Sequence, residues 1–372
     1  MEGSYTSAFT EEERAARRAQ RAAARKKKQQ ERRRRQLLLM TPFFLLGGLF
    51  VVLLTAMATG QPTQEEASEQ APVPVATQIA EEPPSEPEPY SVAETAQTVQ
   101  LGEALPSAYA IVVDLDQDAI LAEKDAHASI SPASMTKILT LLVAAEHVTN
   151  LDDTFTMTID ITDYCYVNGC SVVGLGVGET VTVRELLYGT ILPSGADAAL
   201  GLATYVAGSQ EAFVELMNEK LEELGLSETA HFTNCVGLYD PEHFCTVYDM
   251  AMILKAAMDN ELCRQVLDAR TYETAPTAEH PDGQVLSNWF LRRIEDKDTG
   301  GLDVIAAKTG YVSQSGNCAA SCAQAADGSR YICVTGNAYS SWRAIYDHAE
   351  LYKTYCAIPE EDSGDTAAPS ST

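Results

Sequence analysis

The chain has 372 residues, which suits one large domain or two small ones, and a formal net charge of −27. The charge is uneven: residues 1–36 carry 12 Lys/Arg against 5 Asp/Glu, a local +7, and the remainder holds 14 basic and 48 acidic residues, or −34. Nine cysteines, without a C-x-x-C pair or a Cys/His cluster, exclude a recognisable metal motif and give no reason to expect a cofactor.

The basic arm at 1–36 invites a nucleic-acid reading. A topology determinant resting on anionic headgroups explains it with less, so no nucleic-acid partner is expected. Leu37 to Ala58 follows, 22 residues without a charge, close to the ~20 that cross a bilayer as a helix. Arg32–Arg35 should stay cytoplasmic and the rest of the chain should face outward. Ala56-Met57-Ala58 has the small-x-small form of a cleavage site. The apolar run exceeds the ~7–15 residues of a signal-peptide core, which favours an uncleaved anchor. The expected location is the cell membrane, single-pass, with the body outside the cytoplasm, or secreted if the segment is cleaved. Residues 59–94 are rich in Pro, Glu and Gln and read as an extended spacer. The foldable region spans 95–357, and the tail at 358–372 cannot pack.

Within the foldable region, "SAYAIVVDLDQDAILAEK" predicts a hairpin. "SPASMTKILT" opens a helix whose following residues are apolar almost all round. "TVRELLYGTIL" carries Thr182 and Glu185 in capping-box spacing. "DAALGLATYVAG" and "EAFVELMNEKLEELGL" read as helices, the second stopping at Gly225, and "TVYDMAMILKAAMD" as another capped helix. "GLDVIAAKTGY", "GNCAASCAQA" and "YICVTGNA" are strand-like runs between Gly and Asp-Gly turns, and "SWRAIYDHAELYKTY" closes the body as a helix. Strands at both ends with helices between them predict a mostly antiparallel sheet flanked by helices, plus a helical subdomain. All nine cysteines lie between Cys165 and Cys356, an odd number, so at least one is free or pairs with another chain. A turn about Asp327-Gly328 would set Cys322 opposite Cys333, as a bridge or as two buried thiols.

Three segments can carry chemistry. Ser134 and Lys137 are i and i+3 on one helix face. A lysine beside a buried helix start loses proton affinity through desolvation and can take the proton of a neighbouring hydroxyl. The helix start also offers free N–H groups where an oxyanion would form. In "LPSGADAA", Ser194 sits on a tight turn between helices, from which it can reach into a cleft. In "AAKTGY", Lys308, Thr309 and Gly310 lie in a strand pattern. The glycine lets another backbone or a ligand approach, and the lysine can receive a carboxylate.

The order S-x-x-K, S-x-(N), K-T-G resembles the D-alanyl-D-alanine carboxypeptidases, the low-molecular-weight penicillin-binding proteins of the serine DD-peptidase/β-lactamase superfamily. The resemblance runs from about Ala104 to Tyr355 and includes "TNCVGLYDPEHFCTVYDMA". It implies an α+β fold with a mostly antiparallel five-stranded sheet flanked by helices and an all-helical subdomain. It also implies a peptidoglycan stem peptide ending in D-Ala-D-Ala as substrate and β-lactams as covalent inhibitors. Ser134 would be the nucleophile and Lys137 the base. Ser194 would relay a proton, Lys308, Thr309 and Gly310 would bind the substrate carboxylate, and the backbone N–H groups of Ser134 and Tyr311 would form the oxyanion hole. One position departs: Ala196 stands where the family has an asparagine that holds the lysine and the substrate carbonyl, which opens the alternative of a catalytically weak wall-peptide-binding protein. The deacylating E-x-x-L-N element of class A β-lactamases has no counterpart here.

Overall fold

The computed structural model describes residues 90–357. The basic arm, the expected span at 37–58, the C-terminal tail and the spacer before Tyr90 lie outside the described residues. Among the described residues no helix is long and apolar enough to cross a membrane.

In chain order the elements are β1 (Ala93–Gln100), β2 (Tyr109–Asp114), β3 (Ala119–Lys124), a 3-10 turn (Ala133–Thr136) and α1 (Lys137–His147). Then come β4 (Thr154–Thr156), α2 (Ile159–Asn168), β5 (Thr180–Thr182), α3 (Val183–Ile191), α4 (Ala196–Ala207) and α5 (Gln210–Glu223). They are followed by α6 (Val247–Asp259), α7 (Glu261–Asp268), β6 (Thr271–Glu273), β7 (Val285–Ser287) and α8 (Leu291–Ile294). The chain closes with β8 (Asp303–Val312), β9 (Gly316–Gln324), β10 (Arg330–Ala338) and α9 (Ser341–Tyr355).

The main sheet has six strands, in the order β1-β3-β2-β10-β9-β8, and not the five expected. The added strand, β1, pairs in parallel with β3, while the other ladders are antiparallel. Its sequence, AETAQTVQ, is almost wholly exposed. An edge strand that buries neither face shows no apolar alternation, so the sequence pattern missed it. It begins at Ala93, just inside the stretch read as spacer. The helical side is not purely helical either: β4 pairs with β5 and β6 with β7 as two small ladders.

Alternation along the strands feeds two cores. Ile111 and Val113 of β2 join a core with α1, α4 and α6, whereas Ala110 and Val112 face a second core with Phe290, Leu291 and Tyr352. A sheet covered on both faces reads as a continuous apolar run, as in "AIVV". The β2–β3 turn closes because Asp114 Oδ1 accepts the N–H groups of Asp116 and Gln117 at 2.9 and 3.0 Å. Reciprocal capping boxes start α3 (Thr182 with Glu185) and α6 (Thr246 with Asp249), and Gly225 at φ +73° follows the end of α5.

The β9–β10 hairpin corrects the expected cysteine pairing. Its turn holds three residues and closes with Ala325 N donating to Ser329 O, with Gly328 at φ +97°. Ile332 therefore opposes Cys322, and Cys333 opposes Ser321. A one-residue change of register sends a side chain to the other face of the sheet. Cys322 lies in the first core and Cys333 in the second, and all nine cysteines are free thiols.

Candidate active site

The site forms where the 3-10 turn enters α1. Ala133 adopts φ +48°, a left-handed conformation that costs an ordinary residue about 1–2 kcal/mol. Packing from both sides holds it there. A Cβ on Gly310 of β8 would lie 2.9 Å from Pro132 O and from Ser134 N, so only glycine lets the strand rest on the turn. A Cβ on Gly237 would lie 1.9 Å from Ala133 O. This strained turn presents Ser134, half-buried, toward α1.

Lys137 is the first residue of α1 and is 2% exposed. Its Nζ donates to Ser134 Oγ at 3.0 Å and to Val236 O at 2.8 Å, and Ser134 Oγ lies 3.5 Å from the same carbonyl. Burial lowers the Lys137 amine to about 8, and the nearby Cys235, Cys170, Cys165 and Asp197 pull it partly back up. A displacement of that size corresponds to about 3 kcal/mol. The aliphatic side chains of the same helix that are buried with it, Ile138, Leu139, Leu141, Leu142 and Val143, return about 1.5–3 kcal/mol each. Burial of these side chains offsets the cost of desolvating the amine.

Val236 O is a site atom that the sequence reading did not assign. Asn234 shapes the turn that presents it: its Oδ1 accepts from the N–H groups of Val236, Gly237 and Leu238 at 3.2, 2.8 and 3.0 Å, and its Nδ2 donates to Leu238 O at 2.9 Å. Gly237 supplies the φ of +84° that the turn requires. Asn followed by Gly three residues on is a turn signal, and it stood within a segment already noted as family-like.

The second and third motif segments arrive at the same cleft. Ser194 sits at φ +62° before α4, and Lys308 Nζ donates to its Oγ at 2.9 Å and to Thr309 O at 2.9 Å. Lys308 is 2% exposed. Its amine is held well below the usual lysine range, first by burial and then by the charge of Lys137. Two hydroxyl–amine pairs, Ser134–Lys137 and Ser194–Lys308, thus face one another electrostatically. Thr309 and Gly310 follow in β8, and Tyr311 turns its side chain outward at 63% exposure. The Ser134 and Tyr311 amides belong to the two segments that Gly310 brings into contact.

Ala196 is buried at the start of α4 and brings no polar side chain. Its neighbour Asp197 is fully engaged elsewhere. The carboxylate accepts from the N–H groups of Val173, Gly174 and Leu175 at 2.9, 2.9 and 3.2 Å, and from Ala198 N at 3.0 Å. It pins the 170–175 strap across the second motif. A separate serine–histidine contact, Ser321 Oγ to His348 Nδ1 at 2.7 Å, is wholly buried under Tyr352 and closed to any substrate. No group of three or more His, Cys, Asp or Glu side chains that could hold a metal ion occurs among the described residues.

The sequence profile of the D-alanyl-D-alanine carboxypeptidase family, peptidase S11, matches residues 94–340. The chain belongs to this family. It is 35% identical over 152 residues to the D-alanyl-D-alanine carboxypeptidase DacF of Bacillus subtilis strain 168, covering 41% of this chain and 39% of that one. Against DacC of Escherichia coli K12, another D-alanyl-D-alanine carboxypeptidase, identity is 40% over 152 residues, 39% of this chain and 38% of the relative. The match therefore spans about two fifths of those relatives' length. A variant of the Streptomyces K15 DD-transpeptidase superimposes with a TM-score of 0.63 at 28% identity, over 68% of this chain and 99% of that one. This S11 chain thus shares the fold of that DD-transpeptidase.

Proposed function

We propose that this S11 domain is a serine-type D-Ala-D-Ala carboxypeptidase that removes the terminal D-alanine from peptidoglycan stem peptides through an acyl-enzyme. The observation that carries the reading is the buried Lys137 amine 3.0 Å from Ser134 Oγ. Ser134 attacks the carbonyl between the two D-alanines while Lys137 takes its proton. The amides of Ser134 and Tyr311 receive the developing oxyanion. Ser194 passes a proton to the departing amine, and water then releases the acyl group. Lys308 and Thr309 receive the terminal carboxylate. That anion favours the ammonium form of Lys308.

Val236 O compensates for the alanine at 196 by anchoring Lys137 without the motif amide. This argues for turnover, and so do the carboxypeptidase names of the relatives. The binding-only alternative is not favoured. The same reading keeps the domain outside the cytoplasm, tethered by residues 37–58 to the membrane on the side that faces the wall.

The test is release of free D-alanine from a peptide ending in D-Ala-D-Ala, followed against pH. Lys137 must be neutral to act, so kcat/KM should rise with pH through a limb near 8. Well below that limb it should change about tenfold per pH unit. Binding without release of D-alanine, or a flat kcat/KM between pH 6 and 9, would refute the scheme.

A further inference from the structure

A polar cavity of about 300 Å³ lies at the end of the main sheet where β8 stops. None of the groups assigned to catalysis lines it. Yet the segments that build the catalytic cleft run on into it. Ser131 stands three residues before Ser134, Tyr239 and Asp240 follow shortly after Val236, and Gln314 comes three residues after Tyr311. Tyr109 of β2 and Asn337 of β10 line it as well. Two contacts lock these segments together beside the nucleophile. Gly310 rests on Pro132 and Ser134, and Ile130 exchanges both main-chain hydrogen bonds with Cys245, at 2.7 and 3.1 Å.

The chemistry of the cavity selects a cation. Asp240 Oδ1 accepts Glu242 N at 2.8 Å, which fixes the loop, and Oδ2 has no partner among the described residues. His243 lines the cavity too but brings no charge. Its Nδ1 accepts Thr233 N at 3.0 Å, its Nε2 lies 2.8 Å from Thr136 Oγ1, and burial lowers the ring to about 4. No lysine or arginine occurs among the described residues that line the cavity, so Asp240 is its one charge at neutral pH. Ser131 Oγ is buried and finds no hydrogen-bond partner among the described residues, which leaves an acceptor open to an N–H donor. The rings of Tyr109 and Tyr239 can also face a cation. An anionic ligand would meet an unpaired carboxylate, and an apolar one would strand hydroxyls and amides.

We propose that this cavity is a subsite for an ammonium-bearing side chain on the stem-peptide residue that precedes D-Ala-D-Ala, with Asp240 as its counter-ion. The inference rests on the proposed function, which sets the terminal carboxylate at Lys308 and Thr309 and the scissile carbonyl at the Tyr311 amide. The peptide then runs alongside β8, an edge strand of the sheet. Each residue upstream of the carbonyl advances about 3.3 Å toward Gln314. The residue before the two alanines thus arrives where β8 ends and the cavity opens. A primary ammonium carries three donors, one for Asp240 Oδ2 and the others for the hydroxyl and amide oxygens around it. Acylation of that amine, as any cross-link through it would bring, removes the charge. The subsite therefore directs the domain to stems whose amine is still free.

The test titrates three N-terminally acetylated peptides by calorimetry into the full-length chain carrying Ser134→Ala. They are lysyl-D-Ala-D-Ala, its Nε-acetyl-lysyl form and its norleucyl form. The free-amine peptide should bind about tenfold more tightly than either of the others, the effect of one charge-assisted contact at a partly open site. Asp240→Asn keeps the acceptor for Glu242 N and should bring the three affinities within about twofold of one another, at the level of the acetylated peptide. Asp240→Ser, which also keeps an acceptor for that N–H, replaces it should the first not fold. Equal affinities before the Asp240 change, a preference that survives it, or no binding of any peptide overturns the subsite. Release of D-alanine by the unmodified chain is followed in parallel. Its absence, with the binding preference intact, would sink the proposed function and leave the subsite standing.

Discussion

Ser134→Ala should lower D-alanine release by about 10³–10⁶-fold, the range seen when an acyl-transfer nucleophile is removed. The fold should survive, because the hydroxyl is half-buried and its polar contacts are confined to Lys137 Nζ and Val236 O. Lys137 keeps the Val236 carbonyl as acceptor, so the substitution leaves no charged group unpartnered. The variant should therefore melt within a few degrees of the parent and still bind the substrate peptide. Loss of less than tenfold, with the thermal transition unchanged, would mean that another group is the nucleophile.

Gly237→Ala should rank next, through backbone geometry and not chemistry. The added methyl would sit 1.9 Å from Ala133 O and 2.3 Å from Ala133 C, at a φ of +84°. Neither neighbour is a flexible side-chain end that can move aside. The left-handed conformation alone costs alanine about 1–2 kcal/mol, and separating the two segments adds to it. A total of about 3 kcal/mol or more is expected, together with at least about a hundredfold loss of D-alanine release by the folded fraction, since Ser134 and the Val236 carbonyl are displaced together. Gly208→Ala is the matched control. It has φ +78° with nothing within 4 Å of the new methyl, so it should lose stability from strain alone and keep its activity. Equal melting temperatures and equal rates for the two variants would refute the packing argument.

The parts of the site that could be read from sequence are those that local signals define. S-x-x-K places the amine one turn from the hydroxyl on any helix, and K-T-G carries its own glycine. The capping boxes at Thr182 and Thr246 mark their helices by side-chain chemistry alone. What escaped is set by tertiary context. The edge strand β1 leaves no periodic pattern because neither of its faces is buried. The β9–β10 register depended on one residue of turn length, which separated Cys322 from Cys333. The acceptor that anchors Lys137 is the main-chain carbonyl of Val236, an atom without a side-chain signature, and only Asn234 and Gly237 hinted at the turn that aims it. The alanine at 196 reads as a defect in a linear motif, yet in the fold it stands beside a strap tied down by Asp197.

Peptide mapping of the full chain after reaction with a penicillin measures directly whether Ser134 Oγ is the atom that becomes acylated. One penicilloyl group on the peptide containing Ser134, absent after Ser134→Ala, is the predicted result. An adduct on any other residue, Ser194 included, or none at millimolar drug above pH 8, would contradict it.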